Sequence, residues 1–276
     1  MGLRINTNIA SQEVQRNLKV SNAQQEAEFA KLSSGKRITK SADDAAGLAI
    51  AKKLEAENRG LKVATRNAND GISMVQVAEG GLNETSNILT RLRELSVQAA
   101  SDTIGDNERG YISLEYEQLV QEADRISKTT SFNGRSLLQG GGESLQFQVG
   151  AYANENNIIE LDASSMDASA ESLGIGGTTV KSKGDALNNL DKVDAAINKV
   201  SAFRANFGSI QSRLASTINN LEVSTVNGEA ARSRIEDVDV AESTAKLASS
   251  QIKNAAGVST LAQANQLGNG ALRLIG

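Results

Sequence analysis

The sequence predicts a mainly α fold, an elongated antiparallel bundle or coiled coil of long helices carrying a small β-hairpin region. Three observations lead there. The 276 residues include no proline, so nothing interrupts a long helix by removing a hydrogen bond and clashing with the preceding turn. Aromatic residues make up only 3% of the chain, too few to fill the thick core of a globule this size. Apolar residues also repeat every seven positions over stretches much longer than an ordinary globular helix.

The clearest stretch runs from Ala45 to Ala99. Leu54, Leu61, Ala68, Val75, Leu82 and Leu89 form one seam. Three residues after each from Leu61 onward come Ala64, Gly71, Ala78, Thr85 and Leu92, with Ala99 a further seven on, so the second seam position is mostly small and admits a close neighbour. A second helix is marked by Ile112, Tyr116, Leu119, Ala123 and Ile126. The cap and turn residues Asp102, Gly105 and Gly110 precede it or stand at its start and reverse the chain. The fullest stripe comes later, about Asp185 to Thr225, with Val193, Val200, Phe207, Leu214 and Leu221 stepping by seven. Three such stripes bury one another in a bundle, at about 25 cal/mol per Å² of apolar area.

Between the helices the period changes to two. Leu145, Phe147 and Val149 alternate with polar residues, and Ile159 and Leu161 follow. Gly140 to Gly142 and the pair Asn133-Gly134 supply turn chemistry, which places a small hairpin region here, closed by the loop of Gly174, Gly176 and Gly177.

The two ends are different. An N-terminal helix carries Ile5, Ile9, Val14, Leu18, Phe29 and Leu32, but Ser11, Ser21 and Gln25 occupy seam places, so its stripe is broken. From Ala255 to Leu272 there is no charged residue, and Val258, Leu261 and Leu267 are spread around the helix. A helix that is weakly apolar all round is expected where protein surrounds it. One chain cannot supply that surround, so ordering of the ends is expected to be coupled to assembly. The self-assembly residues named on this basis are Ile5, Leu18, Ile252, Val258, Leu261 and Leu267. On composition alone, a frayed tail is the alternative.

Composition also excludes whole classes of chemistry. Cysteine, histidine and tryptophan are absent, which removes thiolate or imidazole zinc sites, Ser-His-Asp and Cys-His machineries, and disulfides. No cofactor, metal or catalytic site is expected, and no enzyme. The acidic pairs Asp43-Asp44 and Glu236-Asp237 read as helix caps rather than acid–base pairs. The charged patch of Arg91, Arg93 and Glu94 reads as a solvated face. With 29 basic against 33 acidic residues and a net charge of −4, neither nucleic acid nor an anionic membrane is an expected partner. The N-terminus lacks the apolar stretch of a secretory signal, and no apolar run approaches the ~20 residues of a membrane span.

Particular strings then carry a resemblance. KLSSGKRI from Lys31, DDAAGLAIA from Asp43, RNANDGISM from Arg66, EGGLNE from Glu79, TRLRELSVQAA from Thr90 and SFNG from Ser131 follow one another as they do in bacterial flagellins. ARSRIEDVDVA from Ala231 and LAQANQ from Leu261 are similar to that family's C-terminal signature. Together they cover about the first 150 and the last 95 residues, and only a short segment separates them, without the large central variable domains many flagellins carry.

The resemblance implies a structural subunit that polymerises into the extracellular flagellar filament and serves swimming motility. It implies residues 1–44 and 235–276 as the two helices of an inner coiled-coil domain, and residues 45–184 with 185–234 as the bundle domain. The implied partners are other copies of the chain, an export chaperone of the flagellar type III apparatus, the filament cap and the hook–filament junction proteins. A junction protein or a related secreted coiled-coil protein is the alternative. In some flagellins a bundle patch is sensed by Toll-like receptor 5, and the matching residues are Arg91, Leu95 and Glu115.

Overall fold

The computed structural model describes residues 7–141 and 144–273, the side chains of residues 267–273 excepted. The element order is α1 (Ile9–Ser34), α2 (Ala45–Ala99), α3 (Asp106–Thr129), β1 (Ser131–Phe132), β2 (Arg135–Ser136), β3 (Leu145–Gln148), β4 (Ile158–Leu161), α4 (Lys183–Glu236) and α5 (Val240–Arg273). Two compact units form. A central unit takes Asn58–Val226, and a terminal unit takes Met1–Glu57 with Asn227–Gly276.

In the central unit α2, α3 and α4 bury one core. Arg91 pairs with Glu115 and Arg93 with Asp194, while Thr130, just past α3, lies against Gly81 and Leu214 against Gly71. Position therefore rises along α2 as it falls along α3 and α4, which makes both neighbours antiparallel to α2. The predicted seam of α2 is buried from Ala64 upward, through Ala68, Val75, Ala78, Leu82, Leu89, Leu92 and Ala99. Below that the buried face turns. Ala51 and Asn58 go inside, whereas the expected Leu54 and Leu61 are half-buried. On α3 the expected Tyr116 and Ala123 are buried, and the other expected positions are one residue out. Arg109, Ser113, Tyr116, Val120, Ala123 and Ser127 are buried, and Ile112 and Leu119 pack at the edge of the core.

Two seam glycines have steric reasons. A Cβ on Gly71 would stand 3.1 Å from the Phe147 ring, and one on Gly81 would stand 2.6 Å from Thr130 Oγ1 and 2.9 Å from Leu138. These are the places where the β region packs on α2. That region is two antiparallel pairs, β1 with β2 and β3 with β4, the second in the register Leu145 to Leu161 and Phe147 to Ile159. Asn133 and Gly134, at φ 51° and 78°, form the tight turn of the first. The following segment buries Met166, Leu173, Ile175 and Val180, and its Thr178 hydroxyl lies 3.2 Å from Tyr116 OH.

The α2–α3 turn is clamped by Arg109. Its buried guanidinium donates to the carbonyls of Ala99, Ser101 and Ile104 and pairs with Asp106. One carbonyl at the end of α2 and two in the turn that follows are thereby given a donor.

The caps settle the acidic pairs one way each. Asp44 caps α2, accepting the Gly47 N–H at 2.8 Å, and Asp43 accepts from Thr39 and Lys40 in the turn before it. The expected cap at Glu236-Asp237 does not form. Glu236 ends α4 as a buried carboxylate paired with Lys36, and the α5 cap is Asp239, accepting from Ala241 and Glu242. The third long helix also extends beyond the expected Thr225 to Glu236, running through Asn227-Gly228 without a break.

Candidate functional site

The terminal unit holds the surface on which function turns. Among the described residues α1 and α5 approach one another more closely than any other pair of helices. They run antiparallel, with Asn8 donating to the Ala264 carbonyl and Ser11 to Asn265 at one end, and Ser21 facing Ser250 further along.

Both helices present heptads, but mixed ones, in which valine and leucine share the inward positions with small and polar residues. On α1 the inward positions are Ser11, Val14, Leu18, Ser21, Gln25, Glu28 and Leu32, and on α5 they are Ser243, Leu247, Ser250, Asn254, Gly257, Leu261 and Ala264. Small side chains explain the closeness of the two backbones. At Gly257 an added Cβ would lie 2.7 Å from Leu18 Cδ2, so Leu18 fills the space the glycine leaves. Asn254 donates to Gln25 Oε1 at 2.5 Å. Glu28 accepts from Lys31 at 2.9 Å. That bond holds its carboxyl below the usual range against the upward push of burial, helped by Ser243 and by the charge of Lys246. Glu28 Oε2 and Asn254 Oδ1 are buried without a partner.

Several large apolar side chains are on the outside. Phe29 is 65% exposed, Ile252 69% and Val258 61%, and Ile9, Val20 and Val240 are exposed as well. An open groove of about 790 Å³ runs along α1 past Asn22, Glu26, Phe29 and Ser33. Beside an ordinary coiled coil, the pair has fewer apolar groups in its seam and more hydrocarbon in solvent. Such a pair gains little from its own interface and can gain much more by covering its outer face.

The residues named from the sequence fall into two groups. Leu18 and Leu261 are half-buried in the seam, and Ile252 and Val258 face outward. Ile5 and the side chain of Leu267 lie outside the described residues. The seam partners Ser243, Ser250, Asn254, Gly257 and Ala264 escaped sequence reasoning because their heptad is written in small residues rather than apolar ones.

On the central unit, Arg91 and Glu115 are brought together at 2.8 Å, with Glu94 at 3.0 Å. Glu115 first, then Glu94, raises the Arg91 guanidinium above its ordinary value. Leu95 does not join them at the surface. It is 1% exposed and belongs to the core cluster. Among the described residues no three acidic, histidine or cysteine side chains are grouped to hold a metal ion, and no helix is long and apolar enough to cross a membrane.

Comparison with known proteins places this architecture. Residues 5–142 match the bacterial flagellin N-terminal helical region, and residues 190–275 match the C-terminal helical region. A flagellin of Halalkalibacterium halodurans is 40% identical over 98% of this chain and 99% of its own length. A flagellar filament core protein of Brachyspira hyodysenteriae is 39% identical with the same coverage. The crystal structure of Bacillus cereus flagellin superposes with a TM-score of 0.51 at 33% identity, covering 56% of this chain and 88% of that one. With both terminal regions matched and relatives aligned almost end to end, the chain belongs to the bacterial flagellin family, as a structural subunit of the extracellular flagellar filament.

Proposed function

We propose that the terminal unit is the element through which copies of this chain polymerise. The observation that supports it is the outer face of the α1·α5 pair, where Phe29, Ile252 and Val258 are exposed although the seam beneath is only partly apolar. In this reading residues 1–44 and 235–276 form the inner coiled coil of the filament, and residues 45–184 with 185–234 form the wall. Ile5, Leu18, Ile252, Val258, Leu261 and Leu267 are its assembly residues.

The same weakness suits export. A pair with little apolar burial of its own costs little to unfold for passage through a narrow channel. We infer export by the flagellar type III apparatus with a chaperone on the C-terminal region, then insertion between the filament cap and a base set by the junction proteins. The role is structural rather than enzymatic, in keeping with a chain that has neither histidine nor cysteine. Contact with an innate receptor such as Toll-like receptor 5 would be made by the exposed Arg91 and Glu115, with Leu95 supporting that face from the core.

The test uses Ile252→Asp in the full chain, incubated with sheared filament seeds and examined by electron microscopy. Ile252 is exposed in the free subunit, so the variant should keep its helicity. In the polymer it would bury an unpaired carboxylate, at a cost of several kcal/mol, and no tubes should grow. Tubes of normal length and yield from Ile252→Asp would refute the assignment of this face.

A further inference from the structure

Every second seam position of α5 is small, at residues 243, 250, 257 and 264, so seats of similar size recur along it every seven residues. Such a seam gives a sliding partner few reasons to stop. Backbone bonds from Val238 N–H to the Gly35 carbonyl and from Arg37 N–H to the Glu236 carbonyl tie the foot of the pair, Asn8 and Ser11 bond Ala264 and Asn265 at the far end, and between them two contacts tell one seat from the next. Leu18 sits where Gly257 has no side chain, and Gln25 accepts the Asn254 amide. We propose that Leu18 with Gly257, and Gln25 with Asn254, are the register-determining contacts of the terminal pair. They select one antiparallel alignment of α1 on α5.

A slip by one heptad shows how. Leu18 would then face Ser250 or Ala264, each carrying the Cβ for which its native seat has no room. Gln25 would face Leu247 or Leu261, and Asn254 would face Leu18 or Leu32. Both amides would lose their partner in either direction of slip. A polar side chain at a seam position is a known way to fix the register of a coiled coil at some cost in stability.

The register matters because it sets the outer surface. A slip of seven residues moves α5 along α1 by about 10 Å at 1.5 Å per residue. That would carry Ile252 and Val258 past Val20 and Phe29, and copies in different registers would present different apolar faces. The inference deepens the reading of the terminal pair as the assembly element and rests on it.

The absence of cysteine makes the test clean. Ser21→Cys with Ser250→Cys reports the native register, and Ser21→Cys with Ser243→Cys reports a slip of one heptad. Each pair is oxidised in the full chain, both in seed-grown polymer and in unpolymerised protein held compact by sulfate. Intramolecular products are identified by mass spectrometry. In the native seam the 21–250 bond should form at least about tenfold faster than the 21–243 bond. With Gln25→Leu, Asn254→Leu and Gly257→Ala together, that preference should fall to within about threefold. Equal trapping in the native seam, or an unchanged preference in the altered one, would overturn the proposal.

Gly257→Ala alone covers the case in which the triple variant does not order. By helix propensity it should only stabilise α5, whereas a register contact requires it to weaken the pair and slow tube growth. Faster growth or greater protection of α5 from hydrogen exchange would overturn the proposal equally. If no tubes grow from the native sequence, the assembly reading fails, while trapping in sulfate still decides the register.

Discussion

Replacing Asn58 by leucine should make the central unit more stable. Asn58 is 3% exposed, and neither its Nδ2 nor its Oδ1 has a hydrogen-bond partner. Each buried group left unpaired costs about 1–3 kcal/mol, and leucine of similar volume removes both while adding apolar burial. Allowing for imperfect rotamer fit, the net gain is about 2 kcal/mol. For a unit of this size 1 kcal/mol corresponds to about 2–4 °C in Tm, so Asn58→Leu should raise the transition by about 4–8 °C. Tyrosine near-ultraviolet circular dichroism is a selective probe, because all three tyrosines, Tyr111, Tyr116 and Tyr152, lie between residues 58 and 226. An unchanged or lowered Tm would show that the amide is stabilising where it is, and that the reasoning from unpaired groups fails at this position.

Further expectations follow from single contacts. Arg109→Met should lower the same Tm, by about 2–4 kcal/mol of stability, because three carbonyls at the α2–α3 turn lose their donor. The neighbouring glycines of α2 should respond in opposite directions. Gly81→Val should destabilise by about 1–3 kcal/mol through collision with Thr130 and Leu138, whereas Gly80→Ala, in open space, should stabilise by about 0.5–1 kcal/mol. Finally, the Glu28 carboxyl is lowered in the folded chain, so its contribution is present above the unfolded value near pH 4.5 and is lost as pH falls through the lowered one. Assembled α1·α5 should therefore lose protection from hydrogen exchange in mild acid, and Glu28→Gln should flatten that dependence. An equally steep loss in the variant would move the acid sensitivity elsewhere.

How far the sequence could be read depended on what wrote the pattern. The bounds of α2, Ala45 and Ala99, were legible because leucine and alanine mark its heptads, and the hairpins were legible from Asn133-Gly134 and the alternation of Leu145, Phe147 and Val149. On α3 Tyr116 and Ala123 were legible, but the rest of the inner face was not, because a buried arginine and two serines share it, each polar by type while satisfied by a local bond. Glu236 looked like a cap beside Asp237. Its buried pairing with Lys36 joins residues 200 apart in sequence, which no local spacing reveals. Leu95 was legible as part of a motif but not as a core residue, since the charged neighbours Arg93 and Glu94 conceal a helix face that points inward. The seam of α5 was the hardest to see. Serine, asparagine, glycine and alanine carry a clear seven-residue period there, but an apolar template does not register it.

The bonds joining α1 to α5 span sequence separations of 229 to 256 residues. Contacts of such high order form late, because most of the chain has to be present and its loop closed before they can be made. The α2–α3 hairpin, clamped by Arg109 across ten residues or fewer, has no such wait. The terminal pair is therefore a test of chain completeness. A polypeptide that stops short of Asn254 keeps a folded hairpin but leaves α1 with nothing to answer Gln25, and a damaged subunit announces itself at the end of the molecule that would otherwise commit it to the polymer.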